Sequence, residues 1–225
     1  MIVAIIPARG SSKRLPRKNI LPFGGRPLLA WSIAAAQAAP SLGTAWVSTD
    51  DDEIASIAEA CGARVIRRPA EISGDETPTV DVVVHALQAI RAEGIAPTAV
   101  MTMQPTNPLR PIAMIENAIA RFALVPCDSL ISVSFYPLKT GRIVEGYYEP
   151  SYVFGQQSRL MEPIAFENGL LYLTHVATLD RGSLSGRRIV PFETARPFDE
   201  VDIDEASDIM LGECILAAVR NQLNY

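Results

Sequence analysis

An apolar opening run, Met1 to Ile6, empties directly into Pro7-Ala8-Arg9-Gly10-Ser11-Ser12-Lys13-Arg14-Leu15-Pro16-Arg17-Lys18-Asn19, where five cations stand among glycine and serine. Gly10, Ser11 and Ser12 lack bulk, so backbone N–H groups there can approach anionic oxygens, and the serine hydroxyls add donors. Arg9 offers a planar bidentate fork, and Lys13 and Lys18 offer point charges, enough to neutralise a triphosphate. The spacing is neither that of a Walker loop, which ends Gly-Lys-Ser/Thr, nor that of the dinucleotide fingerprint. Most charge runs are solvated turns. Two features weigh against that here. The segment follows a strand, where open parallel sheets bind their ligands, and no aspartate or glutamate occurs in the first 49 residues.

A second group with chemical potential lies near the other end of the chain, Glu200-Val201-Asp202-Ile203-Asp204. In an extended strand Asp202 and Asp204 share a face, about 7 Å apart. Such a pair repels unless a cation intervenes or one carboxyl is protonated. Magnesium takes oxygen ligands and commonly uses one or two carboxylates plus substrate phosphates. The same residues equally fit strand-end acids that cap the following helix, with Glu205 and Asp208 in its first turn. A third acidic stretch, Asp50 to Glu53, reads as a helix cap, with Asp51 or Asp52 in the capping position.

These groups need a scaffold, and its elements alternate. Ile2–Ile6, Ala45–Ser48, Arg64–Arg67, Ala99–Met103 and Ser129–Phe135 read as strands. Pro27–Ala38, the stretch ending at Cys61 and Gly62, Val80–Glu93 and Ile112–Phe122 read as helices. Strand–helix alternation predicts an α/β fold, a Rossmann-like, mostly parallel sheet with helices on both faces. From 136 to 166 the helical period disappears among glycines, prolines and tyrosines, which predicts an inserted β-hairpin or arm. Leu170–Thr174 then resumes the core, and Ala206–Asn221 closes the chain as a helix. Residues 1–225 therefore form one domain carrying one arm.

Composition narrows the partners. The net charge is −5, from 20 basic and 25 acidic residues, and setting aside the six basic residues of the first 49 leaves 14 against 25. Positive charge is thus local, which suits a small anion and argues against nucleic acid. No apolar run approaches the roughly 18–20 residues of a membrane span, and the order of apolar and charged segments at the N-terminus is wrong for a secretory signal. Three scattered cysteines, Cys61, Cys127 and Cys214, read as reduced thiols of a cytoplasmic protein. His85 and His175 are the only histidines, too few ligands for a zinc site.

Taken in order, Ile6-Pro7-Ala8-Arg9-Gly10 through Ser12-Lys13-Arg14-Leu15-Pro16-Arg17-Lys18-Asn19, then Ser48-Thr49-Asp50-Asp51, Arg68-Pro69-Ala70-Glu71, Gln104-Pro105-Thr106-Asn107-Pro108-Leu109-Arg110, Asn168-Gly169 and Asp202-Ile203-Asp204 resemble the CMP-N-acylneuraminate synthetase family of nonulosonate cytidylyltransferases. The resemblance implies a fold of the nucleotide-diphospho-sugar transferase type. It implies CTP contacts from Arg9, Ser12, Lys13, Lys18, Asn19, Arg68 and Thr79, to which the loop chemistry adds Gly10 and Ser11. It implies sugar contact from Gln104, with Arg159 and Asn168 as further candidates, and Mg2+ held by Asp202 and Asp204. It also implies a homodimer in which the arm forms the interface and reaches the partner's sugar site. The chain departs from the family pattern in having Ser11 for a second glycine and Thr79 for a common serine. Its arm replaces the usual arginine-and-glutamine cluster with Gln156-Gln157-Ser158-Arg159.

The reaction so implied is CTP plus a 2-keto sugar acid giving CMP-sugar and pyrophosphate. Lys18 and Arg9 would offset charge on the α- and leaving phosphates, and Asp202 would serve as second metal ligand or proton acceptor. The general base stays open among Asp202, a metal-bound hydroxide and the substrate's own groups. Two alternatives remain at this stage, a cytidylyltransferase for another sugar acid such as Kdo, and a non-catalytic nucleotide-binding module.

Overall fold

Ile2 to Pro7 form strand β1, and its side chains alternate between two apolar layers. In the computed structural model, which describes residues 1–225, Ala4 and Ile6 face one buried cluster while Val3 and Ile5 face another. A strand covered on both sides cannot show a polar face, which is why it reads as continuous apolar sequence. The elements that follow are β2 (Pro22–Phe23), β3 (Arg26–Pro27), α1 (Leu28–Ala38), β4 (Leu42–Thr49), α2 (Asp52–Ala60), β5 (Arg64–Arg67), α3 (Thr79–Ala92), β6 (Ala99–Thr102) and α4 (Ile112–Leu124). After them come β7 (Ser129–Tyr136), β8 (Gly141–Val144), β9 (Tyr147–Pro150), β10 (Ile164–His175), α5 (Val176–Leu179), β11 (Ile189–Glu193) and α6 (Ala206–Leu223).

Seven strands make the central sheet in the order β11-β7-β10-β6-β1-β4-β5. The pairs β1–β4, β1–β6, β4–β5 and β7–β11 are parallel, while β10 runs antiparallel to both β6 and β7. The α/β expectation of a mostly parallel sheet with helices on both faces therefore holds. On one face Leu29 and Ile33 of α1, Ile54 and Ala58 of α2, and Ile115 and Phe122 of α4 pack on Ala4, Ile6 and Met101. On the other, Val83, Leu87 and Ile90 of α3 and Val176 and Leu179 of α5 cover Val3, Ile5 and Val100. Helix α1 is apolar around its circumference because its far side, Leu28 and Trp31, meets Leu216 and Val219 of α6 in a third cluster.

Three differences from the sequence expectations matter for the site. Residues 201–204 do not join a strand. They follow a 3-10 turn, Phe198–Glu200, and run beside the loop after β6, where Ile203 N donates to Thr106 O at 2.8 Å. Val201 and Ile203 are still buried in the α6 cluster, so the alternation survives without a ladder. The strand read from Leu170 begins at Ile164 and carries an irregularity between Glu167 and Tyr172. Consequently the segment outside the sheet spans residues 137–163, with the β8–β9 hairpin in its first half. Finally, β11 was not anticipated.

Candidate active site

The cationic loop is held by acids from distant parts of the chain. Asn19 is buried and its Nδ2 donates to Arg9 O at 2.9 Å, which clasps the loop's two ends together. Arg17 takes a left-handed backbone, φ 58°, and its guanidinium meets Asp51 at 2.6 Å and also Glu53 at the start of α2. Asp51 meanwhile caps that helix by accepting from Ile54 N at 2.9 Å. The remaining four cations face a cleft. Arg9 and Lys13 both reach Asp75, at 2.8 and 2.6 Å. Lys18 and Arg14 both reach Asp204, at 2.8 and 2.6 Å.

The two groups singled out in the sequence thus meet across 186 positions of chain. The cleft beside the loop has a volume of about 490 Å³, and Arg9, Ser12, Lys13, Lys18, Asn19, Arg68, Thr79 and Gln104 all line it, whereas Asp202 and Asp204 adjoin it only through Thr106, Lys18 and Arg14. The lining residues sit at the C-terminal ends of strands, in the loops that follow them, or at the start of the next element, where an open α/β sheet binds ligands. Thr79 opens α3, whose N-terminal end adds partial positive charge. Arg68 follows β5 and is buried, with Nη2 donating to Ser48 O at 2.6 Å. Burial lowers its pKa, Asp50 opposes that shift, and Arg9 reinforces it. Gln104 follows β6, and its carbonyl accepts from Arg110 Nη2 at 2.6 Å. Arg110 is fully buried, bonds Leu170 O and Ser32 Oγ as well, and is lowered to about 10 by desolvation.

Other expected members are engaged differently. Gly10 N already donates to Asp50 Oδ1 at 3.0 Å, and a Cβ at Gly10 would stand 2.7 Å from Asp51 Oδ2. Its lack of a side chain therefore serves loop packing. Ser11 is exposed and does not line the cleft. Asn168 spends its side-chain amide on Ser134 Oγ and Thr194 Oγ1, at 2.9 and 2.6 Å, away from the cleft. Arg159 lies on the exposed arm with Nε bonded to Gln157 at 2.7 Å, outside the cleft of its own chain. Arg14, Asp75, Thr77 and Thr106 were not singled out in the sequence, yet they line the cleft. Arg14 lay inside the recognised loop and could have been named. Asp75 belongs to a short Gly-Asp-Glu-Thr-Pro segment without periodicity, and only the fold shows what it faces.

The capping alternative for the aspartate pair is now decided. Glu205 and Asp208 form the capping box of α6, and Asp208 accepts from both Asp204 N and Glu205 N, at 2.9 and 2.7 Å. Neither Asp202 nor Asp204 caps the helix: Asp204 pairs with Lys18 and Arg14, and Asp202 accepts from Thr106. Burial raises the Asp202 pKa, a hydrogen bond from Thr106 opposes the shift, and the charge of Asp204 adds to it. Burial also works upward on Asp204, but Lys18 and Arg14 outweigh it and hold that carboxyl below its ordinary value. No cluster of three or more histidine, cysteine or acidic residues exists that could hold a metal on protein ligands alone. Two neighbouring carboxylates, one destabilised by burial and further by the other's charge, do fit a hard divalent cation that completes its shell with phosphate oxygens and water.

A smaller cavity of about 230 Å³ adjoins the cleft, sharing Thr79 and Gln104 and adding Thr102, Ile131, Glu167, Tyr172, Leu184 and Ser185. No helix is long and apolar enough to cross a membrane.

Residues 3–135 match the sequence model of a family described as cytidylyltransferase. N-acylneuraminate cytidylyltransferase A of Danio rerio is 35% identical over 132 residues, 59% of this chain but 30% of that protein. The CMP-N,N'-diacetyllegionaminic acid synthase of Legionella pneumophila is 29% identical, with 96% of each chain aligned. A pseudaminic acid cytidylyltransferase of Campylobacter jejuni is 34% identical over 53% of this chain and 52% of its own. The chain thus spans less than a third of the Danio rerio relative and nearly all of the Legionella one. Among solved structures, a CMP:2-keto-3-deoxy-manno-octonic acid synthetase complexed with CTP superimposes with a TM-score of 0.72 at 17% identity, covering 96% of this chain and 98% of that one. That likeness is one of fold.

Proposed function

The chain belongs to the cytidylyltransferase family, and from that premise we propose that it condenses CTP with a sialic-acid-like nonulosonic acid, giving the CMP-sugar and pyrophosphate. The observation that carries the proposal is the junction of Lys18 and Arg14 with Asp204 at the mouth of a cleft lined by Arg9, Lys13 and Arg68. A cleft with cations on one wall and a carboxylate pair at its rim suits a nucleoside triphosphate with a divalent ion. The N-acylneuraminate, legionaminate and pseudaminate enzymes among its relatives favour a nine-carbon acceptor over Kdo, for which only the fold speaks.

Triphosphate would draw Arg9 and Lys13 away from Asp75, and Lys18 from Asp204, exchanging internal ion pairs for phosphate contacts. Each such contact is charge-assisted and about twice as strong as a neutral hydrogen bond. Freed of Lys18, Asp204 with Asp202 would hold Mg2+, whose contribution when bound is Lewis-acid stabilisation of phosphate charge. The cavity beyond Gln104 takes the acceptor. Gln104 lines both spaces, so an acceptor hydroxyl placed there can approach the α-phosphorus in line while pyrophosphate departs along the Arg9 and Lys13 side. Lys18 and Arg9 offset charge on the α- and leaving phosphates as the bond to the β-phosphate breaks. If Asp204 alone holds the ion, Asp202, which burial raises, is instead the protein group suited to receive the acceptor's proton. A homodimer formed through the arm, in the cytoplasm, is part of the same proposal.

The test is a panel of N-acetylneuraminate, legionaminate, pseudaminate and Kdo incubated with CTP and Mg2+, followed by pyrophosphate release. Release with one or more nonulosonates, abolished by EDTA, is the expected result. Release with Kdo alone, or CTP binding without release for any acceptor, would overturn the proposal.

A further inference from the structure

The cavity beside the nucleotide cleft is lined by a residue whose buried hydroxyl has no partner in the fold. Thr102 ends β6, is 1% exposed, and its Oγ1 makes no hydrogen bond. A buried hydroxyl without a partner is destabilising, and valine would fill the same space in a strand without that penalty. Thr102 is also not adrift in the core. Tyr172 pairs with Thr102 on one side and with Ile131 on the other, so the three side chains form a row across the sheet, and all three line the cavity. Glu167 also lines the cavity, and its Oε2 accepts from Tyr172 Oη, the middle member of that row, at 3.3 Å. Burial, with the Glu167 charge behind it, pushes the Tyr172 hydroxyl up to about 12, which keeps it a donor. One long hydrogen bond leaves most of the carboxylate's accepting capacity unused.

We propose that Thr102 and Glu167 select the acceptor by one of its substituents, taking an uncharged group that donates a hydrogen bond and excluding an anionic one. Glu167 accepts from an acyl-amide N–H or hydroxyl of the acceptor, and Thr102 Oγ1 bonds a neighbouring oxygen of the same substituent. The acceptor's own carboxylate is thereby directed away from Glu167 and toward the cationic cleft on the far side of Gln104. This rests on the acceptor pocket assigned under the proposed function, and it assigns to two residues a role that the family motifs do not include.

Thr102→Val and Glu167→Gln test it, with N-acetylneuraminate as the probe and pyrophosphate release as the readout. Each substitution is expected to raise the KM for N-acetylneuraminate roughly tenfold, the effect of one lost hydrogen bond, while the KM for CTP stays within about twofold. Thr102→Val should also raise Tm by about 2–4 °C, because it removes the orphan hydroxyl. An acceptor KM unmoved in both variants, or a CTP KM that moves equally, overturns the assignment while leaving the cytidylyltransferase proposal standing. If the wild-type protein turns over no acceptor, that proposal fails by itself. Calorimetric titration of N-acetylneuraminate into wild type and both variants then decides the present one, and equal affinities, or no binding to any of them, overturn it.

Discussion

At the scale of single residues the site is a set of internal ion pairs waiting for a better partner. Lys18 meets Asp204 at 2.8 Å in the free chain, so either residue's loss affects both the resting pair and its replacement. Lys18→Ala and Asp204→Asn are each expected to lower kcat/KM by two to three decades, about 3–4 kcal/mol of transition-state stabilisation, with the fold intact by circular dichroism. Wild-type turnover in either purified variant would remove that residue from the mechanism. Asp202 and Asp204 should also respond oppositely to pH. Burial raises Asp202, so the folded state favours its proton, and its contribution to stability is present in acid and lost as pH rises past the folded value. Asp204 is depressed by Lys18 and Arg14 against the pull of burial, so its contribution is present above the ordinary carboxylate range and lost as pH falls through the depressed value. Asp202→Asn should therefore raise Tm at pH 7 while abolishing pyrophosphate release, and the gain should vanish in acid below the carboxylate range. A pH-independent change in Tm would contradict the assignment of that charge as the destabilising group.

At the scale of elements, helix α6 is what holds the aspartates to the cleft. Gly212 faces Phe23, Val201 and Ile203, and a Cβ there would lie 2.8, 3.0 and 3.2 Å from their side chains. Helix propensity alone predicts that Gly212→Ala stabilises by about 1 kcal/mol, whereas overpacking predicts a loss of about 1–3 kcal/mol. The contacts involve one ring and two branched side chains already in a buried cluster, so overpacking should win and Tm should fall. Because Val201 and Ile203 flank Asp202, kcat should fall with it, and a variant that is more stable with unchanged kcat would show that the helix does not set the loop. The same contacts explain what could be read beforehand. Strand β1 and helix α1 were legible as apolar runs and α2 to α4 by their apolar period, which are local signals, joined at α2 by the Asp51 cap and the positive-φ Gly62 behind it. Strand β11 was not, since Pro191 interrupts its pattern. At the sheet edge a proline's missing donor does no harm, but that edge position exists only after the fold has formed. The loop at 201–204 was read correctly in its alternation and wrongly as a strand, because burial against α6 and a hydrogen bond to Thr106 produce the same period as a ladder. Arg14 and Asp75 complete the pattern. Charge counting located the cations, but which acid faces which cation is decided by contacts tens to hundreds of residues apart.

At the scale of the whole molecule, the arm is the part that the single chain leaves unfinished. Ile143, Tyr147, Val153, Phe154 and Leu160 are 71%, 78%, 75%, 85% and 67% exposed, all within one short stretch of chain around the β8–β9 hairpin. Soluble monomers seldom leave so large an apolar surface in water. A two-fold pair of identical arms would cover it with the same residues on both sides. Light scattering after size exclusion should accordingly give twice the 24.4 kDa chain mass, and Val153→Glu with Phe154→Asp should halve it. The consequence for chemistry separates the two substrates. Arg9, Lys13, Arg14, Lys18 and Arg68 line the cationic cleft within a single chain, so the monomeric variant is expected to bind CTP as the wild type does. Arg159 is outside its own cleft, and in the dimer it is proposed to serve the acceptor pocket of the other copy. Loss of dimerisation should then raise the acceptor KM at least as much as Arg159→Ala does in a chain that still dimerises. If the monomeric double variant kept wild-type acceptor KM, the arm would be an interface and nothing more, and each cleft would be complete within its own chain.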